Sequence, residues 1–424
     1  MVLERMRQLL LRPRGSFWGY SPGVGRILNR QYQWGEDPSI CSKDNCLPRN
    51  QERAWRLTQP HLGMEEPRVN SKERVMITMA HEEADRIPIN FRATDQIIQR
   101  LSKRLCSDYF GILNHYHVDF REVIPPYVGP VFSRAADGSE IDMWGVGRKE
   151  LITETGRDVM ISVNPLKDAK TPEDVKGHSW PKAEWFDFSQ VKQMCSDFRE
   201  YAISTPGLHL EGYHGVFHLL TYLFGMERAM LDLVTNPEPL RAAIHEIMGF
   251  FKDYYERLFE AAEGSIDFLF YKDDFGGQNN LLISPAMFNE FFHDNIKELC
   301  DLAAGYGGKM ILHSCGSIIK LIPDFIEAGA GVLDPIQVTA KDMDIRELKG
   351  RFGEKLVFHG GIDVQQLMPF GSLEEIKNKT RETIEVLGKG GGYFFSPSHR
   401  FQPDTPVENI VALYDAVLDY GVYG

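Results

Sequence analysis

The sequence predicts an α/β fold, a closed (β/α)8 barrel, and three observations predict it. Short apolar runs recur eight times after Asn70. Helix-length amphipathic segments separate most of them. The later runs, such as IDFLFY, KMIL and KLVF, lack the polar alternation of a half-exposed strand and read as parallel strands buried on both faces. Alternating strand and helix implies a parallel sheet, and eight such units in about 350 residues imply a closed barrel. An open doubly wound sheet is the architectural alternative.

Taken in order, Lys72 to His81 is an amphipathic helix with Ser71 as N-cap and Glu73 in its first turn. Strands are expected at Arg86–Phe91, Val118–Ile124, Leu208–Gly212, Ile266–Tyr271, Lys309–His313, Gly331–Pro335, Lys355–His359 and Gly392–Phe395. Three intervening helices carry clear punctuation. Ser284–Leu302 opens on Ser-Pro, Ser317–Ala328 stops at Gly329, and Ser372–Leu387 opens on a capping box and stops at Gly388. The stretch from Tyr127 to about Val175 breaks the pattern with alternating residues and turn glycines. It reads as a β-rich insertion after strand 2, lying over the barrel mouth.

Residues 1–69 read as a separate, loosely structured N-terminal extension ahead of a barrel domain at 70–424. Residues 1–63 hold ten Lys/Arg against five Asp/Glu, about +5, which leaves about −18 for the remainder of a chain with net charge −13. Gly and Pro interrupt every helix there after Arg12, and a translation start at Met64 is the sharper expectation for this segment. Cys41 and Cys46 have no further ligands nearby to complete a zinc site.

The acidic balance argues against a nucleic-acid partner. No apolar run approaches the ~18 residues that span a bilayer, so no membrane partner is expected. Six irregularly spaced cysteines are not a disulfide framework, and a soluble, cytoplasmic protein fits.

Reactive residues in a (β/α)8 barrel sit at the C-terminal ends of its strands. The candidates there are Asp119 and Arg121 on strand 2, Tyr213 and His214 after strand 3 with Tyr222 further on, and Asp273, Asp274 and Gln278 after strand 4. Strand 5 ends in His313-Ser314-Cys315-Gly316, strand 7 runs into Asp363, and His399 follows strand 8. Residues i and i+2 of an extended strand point the same way, so His313 and Cys315 can face one metal ion, with His399 as third ligand. Three protein ligands and an open position describe catalytic zinc. The alternatives are that Cys315 is a small buried hydrophobe and His313 a hydrogen-bonded barrel residue, or that the pair is catalytic without metal. Of the adjacent Asp273 and Asp274, at least one is expected in the pocket as acid, base, ligand or acceptor; the alternative is that one caps the next turn. His359 receives no chemical role.

HSCGSIIKLIPDFIEAGAGVLDPIQ, LVFHGGID and SPSHRFQPDTPVENIVALYDAV resemble the uroporphyrinogen decarboxylase superfamily, whose barrel is of the TIM type. The likeness runs from about Asn70 to Gly424 and is dense from Phe268 onward. The superfamily contains decarboxylases and corrinoid-dependent methyltransferases. Similarity to the decarboxylases implies Asp119 as the catalytic Asp, which stabilises the protonated ring, Tyr222 and His399 as residues that hold substrate, and Asp363, in a Gly-Gly-Ile-Asp counterpart of their Gly-Asn-x-Asp, as a substrate-binding residue. The Arg-rich motif those enzymes carry after the first strand is replaced by NFRATDQ, with Arg92 its only cation. Similarity to the methyltransferases implies His313 and Cys315 as zinc ligands, with His399 at the position of a later Cys. It implies zinc as cofactor and a corrinoid carried by a separate partner protein, besides a small-molecule substrate; members of the superfamily often form a homodimer. The leading expectation is a zinc-dependent methyltransferase. A metal-free decarboxylase is the alternative, and a non-enzymatic binding protein the third.

Overall fold

The computed structural model describes residues 69–153, 156–207 and 214–423. Helix α1 (Ser71–Met79) opens the described chain. Its N-cap is Asn70, not the expected Ser71: Asn70 accepts from Glu73 N while Glu73 returns the bond to Asn70 N, a complete capping box. Among the described residues, seven parallel strands form one curled sheet. They are β1 (Phe120–Glu122), β5 (Ala202–Ser204), β6 (Phe268–Lys272), β7 (Lys309–His313), β8 (Ala330–Ile336), β9 (Val357–Ile362) and β10 (Tyr393–Pro397), adjacent in that order. The order is sequential and lacks the reversal of a doubly wound sheet. Strands β2 (Glu140–Ile141), β3 (Gly147–Thr153) and β4 (Gly156–Val163) make a separate antiparallel sheet between β1 and β5 in the chain.

The expected first strand is not a regular one. Ile89 bridges Phe395 and Arg86 bridges Val422, but only as isolated pairs. Pro88 has no N–H to donate, and the Asn90 side chain accepts from Phe91 N, which interrupts the ladder. The segment still bonds to both edge strands of the sheet. Asn90 N donates to Phe395 O at 2.8 Å, and Asp119 N donates to Ile89 O at 2.9 Å. The expected strand Leu208–Gly212 lies outside the described residues; the strand observed in third place is β5, upstream of it. The expectations for residues 1–68, including Cys41 and Cys46, also fall outside the described residues.

Strand alternation divides the core in two. Phe120, Ala202, Phe268, Phe270, Ile311, Val332, Val357 and Phe394 meet inside the curl, where Val75 of α1 plugs the N-terminal end. Their sequence neighbours face the helices, so both sheet faces are buried. The helices that matter for the site are α2 (Val216–Phe224), α3 (Pro285–Phe291), α4 (His293–Gly305), α5 (Ile322–Ala328) and α6 (Leu373–Thr383). The expected Ser284–Leu302 helix is broken between α3 and α4 at Phe292, whose φ is −127°. Ser284 caps α3 as its Ser-Pro start implied. Helix α5 begins later than expected and ends at Gly329 in the left-handed region. Helix α6 carries the Ser372–Glu375 capping box, and a π turn at Ile384–Gly388 follows it. No helix among the described residues is long and apolar enough to cross a membrane.

Candidate metal centre

The C-terminal ends of β7 and β10 meet one another across the mouth of the curl. His313 is the last residue of β7, and Cys315 stands two residues on. His313 Nε2 lies 3.3 Å from Cys315 Sγ. His399 follows β10, its ring centroid 6.2 Å from that of His313. One donor atom from each of the three lies within 4.8 Å of the others, the one such His/Cys group among the described residues. His313 and Cys315 are buried and His399 is half-buried. Two imidazoles and a thiol, converging at one accessible edge, fit zinc better than magnesium or calcium. The other thiols behave differently. Burial pushes Cys195 up to about 11 and Cys300 up to about 12, and both sit among core side chains.

The loop holding Cys315 is fixed by backbone geometry. Gly316 has φ +94°, and a side chain there would collide with Gly276 and Gly277. Gly316 N donates to Gln337 Oε1 at 2.8 Å, and Cys315 N donates to Asp274 Oδ1 at 2.7 Å. Asp274 Oδ1 is also 3.6 Å from His313 Nε2, and Asp274 Oδ2 is 3.5 Å from His218 Nε2. Burial raises this carboxyl, but His218, His313 and Lys272 outweigh it and leave Asp274 below its ordinary value. Asp273 and Asp274 therefore divide the two expected roles. Asp273, fully buried, accepts from Phe217 N, His218 N and the Tyr271 hydroxyl, and caps α2. Asp274 faces the His–Cys pair.

Several expected site residues are placed elsewhere. Asp119 stands just ahead of β1, at the N-terminal end of the sheet. Arg74 Nη1 and Arg86 Nη1 each lie 2.7 Å from its oxygens, and Ile89 N donates to it as well. It is a closed ion-pair clamp, because Phe120 and Glu122 take the inward positions of the short β1. Arg121 faces outward for the same reason. It donates to Val118 O, Phe120 O and Asn114 Oδ1, and its guanidinium lies 3.8 Å from the Tyr201 ring centroid. Asp363 accepts from the backbone N–H groups of Gln365, Gln366 and Leu367, so it caps a turn. Gln278 donates to Thr339 O and accepts from Gln337 Nε2 at 3.3 Å, tying two rim loops together. Arg92 is inside the curl, 2.8 Å from Asp334. His214 lies beside His218 and edge-on to Tyr222, with centroids 5.2 and 5.4 Å apart. The Arg148 guanidinium, from β3, is 5.2 Å from the Tyr222 ring centroid and ties the antiparallel sheet to α2. Tyr213 lies outside the described residues.

Three residues next to this site carry no role in the sequence reading, Asp334, His359 and Lys272, and Glu122 on β1 carries none either. All are buried and inward-facing by strand alternation. The signal for Asp334 and Lys272 was available, since a charge inside an apolar strand run requires a partner.

The uroporphyrinogen decarboxylase (URO-D) family model matches residues 211–420. A uroporphyrinogen decarboxylase of Coxiella burnetii is 25% identical over 157 residues, 35% of this chain and 40% of that one. The methylcobamide:CoM methyltransferase MtaA of Methanosarcina barkeri is 27% identical over 139 residues, 33% of this chain and 38% of that one. A methylated-thiol–coenzyme M methyltransferase of Methanosarcina mazei is 28% identical over 208 residues, 46% of this chain and 49% of that one. The chain thus spans under half the length of these curated relatives. Among solved structures, a methyltransferase from Methanosarcina mazei has a similar fold, with a TM-score of 0.60 at 16% identity, covering 83% of this chain and 99% of that one. Residues 211–420, just under half of the chain, thus resemble the uroporphyrinogen decarboxylase (URO-D) family, and the fold agrees with that likeness.

Proposed function

We propose that this chain is a zinc-dependent methyltransferase, moving a methyl group to or from a corrinoid held by a separate soluble protein. The observation that carries the reading is the convergence of one ligand atom each from His313, Cys315 and His399 within 4.8 Å of one another. We read residues 70–424 as one (β/α)8 barrel, with the segment at 87–91 as its eighth stave and residues 1–69 as an extension. Bound by these three residues, zinc supplies Lewis acidity toward a methoxy oxygen, a methylamine nitrogen or a thiol sulfur. Asp274 is a carboxylate at neutral pH. Its Oδ1 holds the Cys315 loop, and its Oδ2 is positioned to take a proton from substrate, with His218 Nε2 at 3.5 Å to stabilise the charge. Tyr222 and His214 stand beside His218, on the Asp274 side of the centre, where a small substrate would enter. The barrel mouth is where a corrinoid protein would dock.

The second reading is a metal-free decarboxylase of uroporphyrinogen or another carboxylated substrate. Its support is Glu122, a buried carboxylate on the inward face of β1, where Asp119 was expected to serve. Metal content separates the two. Plasma mass spectrometry of purified protein should find about one zinc per chain, lost in Cys315→Ala and in His399→Ala. Protein that holds no metal, and takes up none when zinc is added back, overturns the methyltransferase reading and brings Glu122 forward.

A further inference from the structure

Inside the curl, directly behind the candidate metal centre, a chain of buried polar groups runs from Asn90 to Cys315. Asp334 stands at its middle. It is on the inward face of β8, two residues beyond Val332 of the inner core, and is fully buried. Oδ2 contacts His313 Nδ1 and lies 2.8 Å from Arg92 Nη2. Oδ1 lies 2.9 Å from His359 Nδ1. Behind His359, its Nε2 is 3.1 Å from Asn90 Nδ2, and Asn90 Oδ1 accepts from Phe91 N, which fixes the amide's orientation.

We propose that Asp334 is the positioning residue of the metal centre: it holds His313 in the Nδ1–H tautomer, so that the Nε2 lone pair points at the metal. The inference rests on the zinc reading above. Arg92 is permanently cationic, so the carboxylate beside it has oxygens that only accept. The hydrogen between Asp334 and His313 must then sit on Nδ1. His313 Nε2 is left as the ligand nitrogen, and it faces Cys315 Sγ at 3.3 Å. Arg92 compensates the buried negative charge, and its guanidinium is 5.6 Å from the Phe270 ring centroid, which packs it against the barrel wall. The role of Asp334 is orientation and increased basicity of the imidazole, as carboxylates behind metal-bound histidines commonly provide.

The substitution that tests this is Asp334→Asn. The shape is kept, but the new amide can turn its NH2 toward His313 Nδ1. The histidine hydrogen would then move to Nε2, the ligand atom. Zinc affinity of the whole chain is measured by competition with a chromophoric chelator, together with the visible spectrum of the cobalt(II)-substituted protein. We expect the zinc dissociation constant of D334N to rise about 10- to 100-fold over wild type. Ser284→Ala, an N-cap on the rim loop outside this chain of polar groups, should bind zinc as wild type does. D334N binding zinc with wild-type affinity and an unchanged cobalt spectrum overturns the proposal while leaving the zinc reading standing. Wild-type protein that binds no zinc overturns both. If D334N does not fold, nitrogen-15 histidine spectra of zinc-loaded wild type decide the matter. A His313 coordinated through Nε2 with hydrogen on Nδ1 supports the assignment; coordination through Nδ1 overturns it.

Discussion

At each end of the parallel sheet a fully buried aspartate collects arginine, yet the two ends are built for different work. At the N-terminal end, Asp119 meets Arg74 and Arg86, and Arg74 also binds Asp85 at 2.6 Å. Charges balance, and the carboxylate's bonds are completed within the scaffold. At the C-terminal end, Asp334 meets one arginine and two histidines, and one of those histidines turns its second nitrogen toward a thiol. The first arrangement is closed on itself. The second passes its order outward to a group of donors at the mouth. What separates a clamp from a site is whether the last member of the network has a ligand atom directed at other ligand atoms.

The largest effect expected from this contrast is on stability, at the closed end. Asp119→Ala removes the shared partner of the buried Arg74 and the partly buried Arg86 and should cost about 3–5 kcal/mol in urea unfolding. Protein that remains folded should hold zinc as wild type does. A loss of zinc without a loss of stability would reverse the assignment of the two ends. Next comes Gly316→Ala at the open end. A side chain at φ +94°, pressed into Gly276 and Gly277, should cost about 1–3 kcal/mol. Because the same loop carries Cys315, zinc binding should weaken with it. Unchanged affinity in a folded G316A would mean that the loop's strained backbone does not set the position of the thiol.

Much of this contrast was legible in the sequence, and its phase was not. Strand and helix alternation from Phe268 onward, the Ser284 and Ser372 caps, and the same-side pairing of His313 and Cys315 all follow from periodicity and cap chemistry. Asp119 and Arg121 did not, because a shift of one residue in the phase of a short strand exchanges its inward and outward faces. With only three residues in β1, the alternation that would reveal the phase is too short to read. The resemblance that singles out Asp363 does not reveal that its carboxylate caps the turn at Gln365–Leu367. Nothing local in the sequence names the partners of Asp334: Arg92 follows the irregular segment at 87–91, His313 ends β7 and His359 lies on β9.

Acidification sharpens the comparison further. Burial lowers His313 and His359 below the ordinary 6.5, although Asp334 pulls both upward. The unfolded chain therefore binds these protons before the folded one does. Stability should hold above neutrality and decline as pH falls below about 6.5. Asp334 is itself held well below 3.8: burial opposes this, but Arg92, His313 and His359 prevail. Asp85 is also below 3.8, lowered by Arg74 against its burial. Their contribution is complete above 3.8 and is lost as pH falls through their folded values, so the decline should steepen there. Urea midpoints measured against pH, in chelator, should show both stages. His359→Gln should flatten the first stage and leave Asp85's part of the second. A variant as steep as wild type near pH 6 would remove His359 from the open end's network.

The smallest expected effect serves as the control for all of these. Ser284 lies ten residues beyond Asp274 in the same rim loop, where its hydroxyl accepts from Met287 N at 3.2 Å and starts α3. Ser284→Ala should cost about 1 kcal/mol, the ordinary loss for an N-cap. It touches neither Asp334, Asp274 nor the Cys315 loop, so zinc affinity and the cobalt spectrum should stay at wild-type values. If this cap variant weakened zinc as D334N does, metal binding would follow the general stability of the rim, and the hydrogen-bonded path from Asp334 through His313 would lose its special place. Unchanged affinity at reduced stability would separate the two quantities. The effects of Asp119→Ala and Asp334→Asn could then be read as belonging to different ends of one sheet.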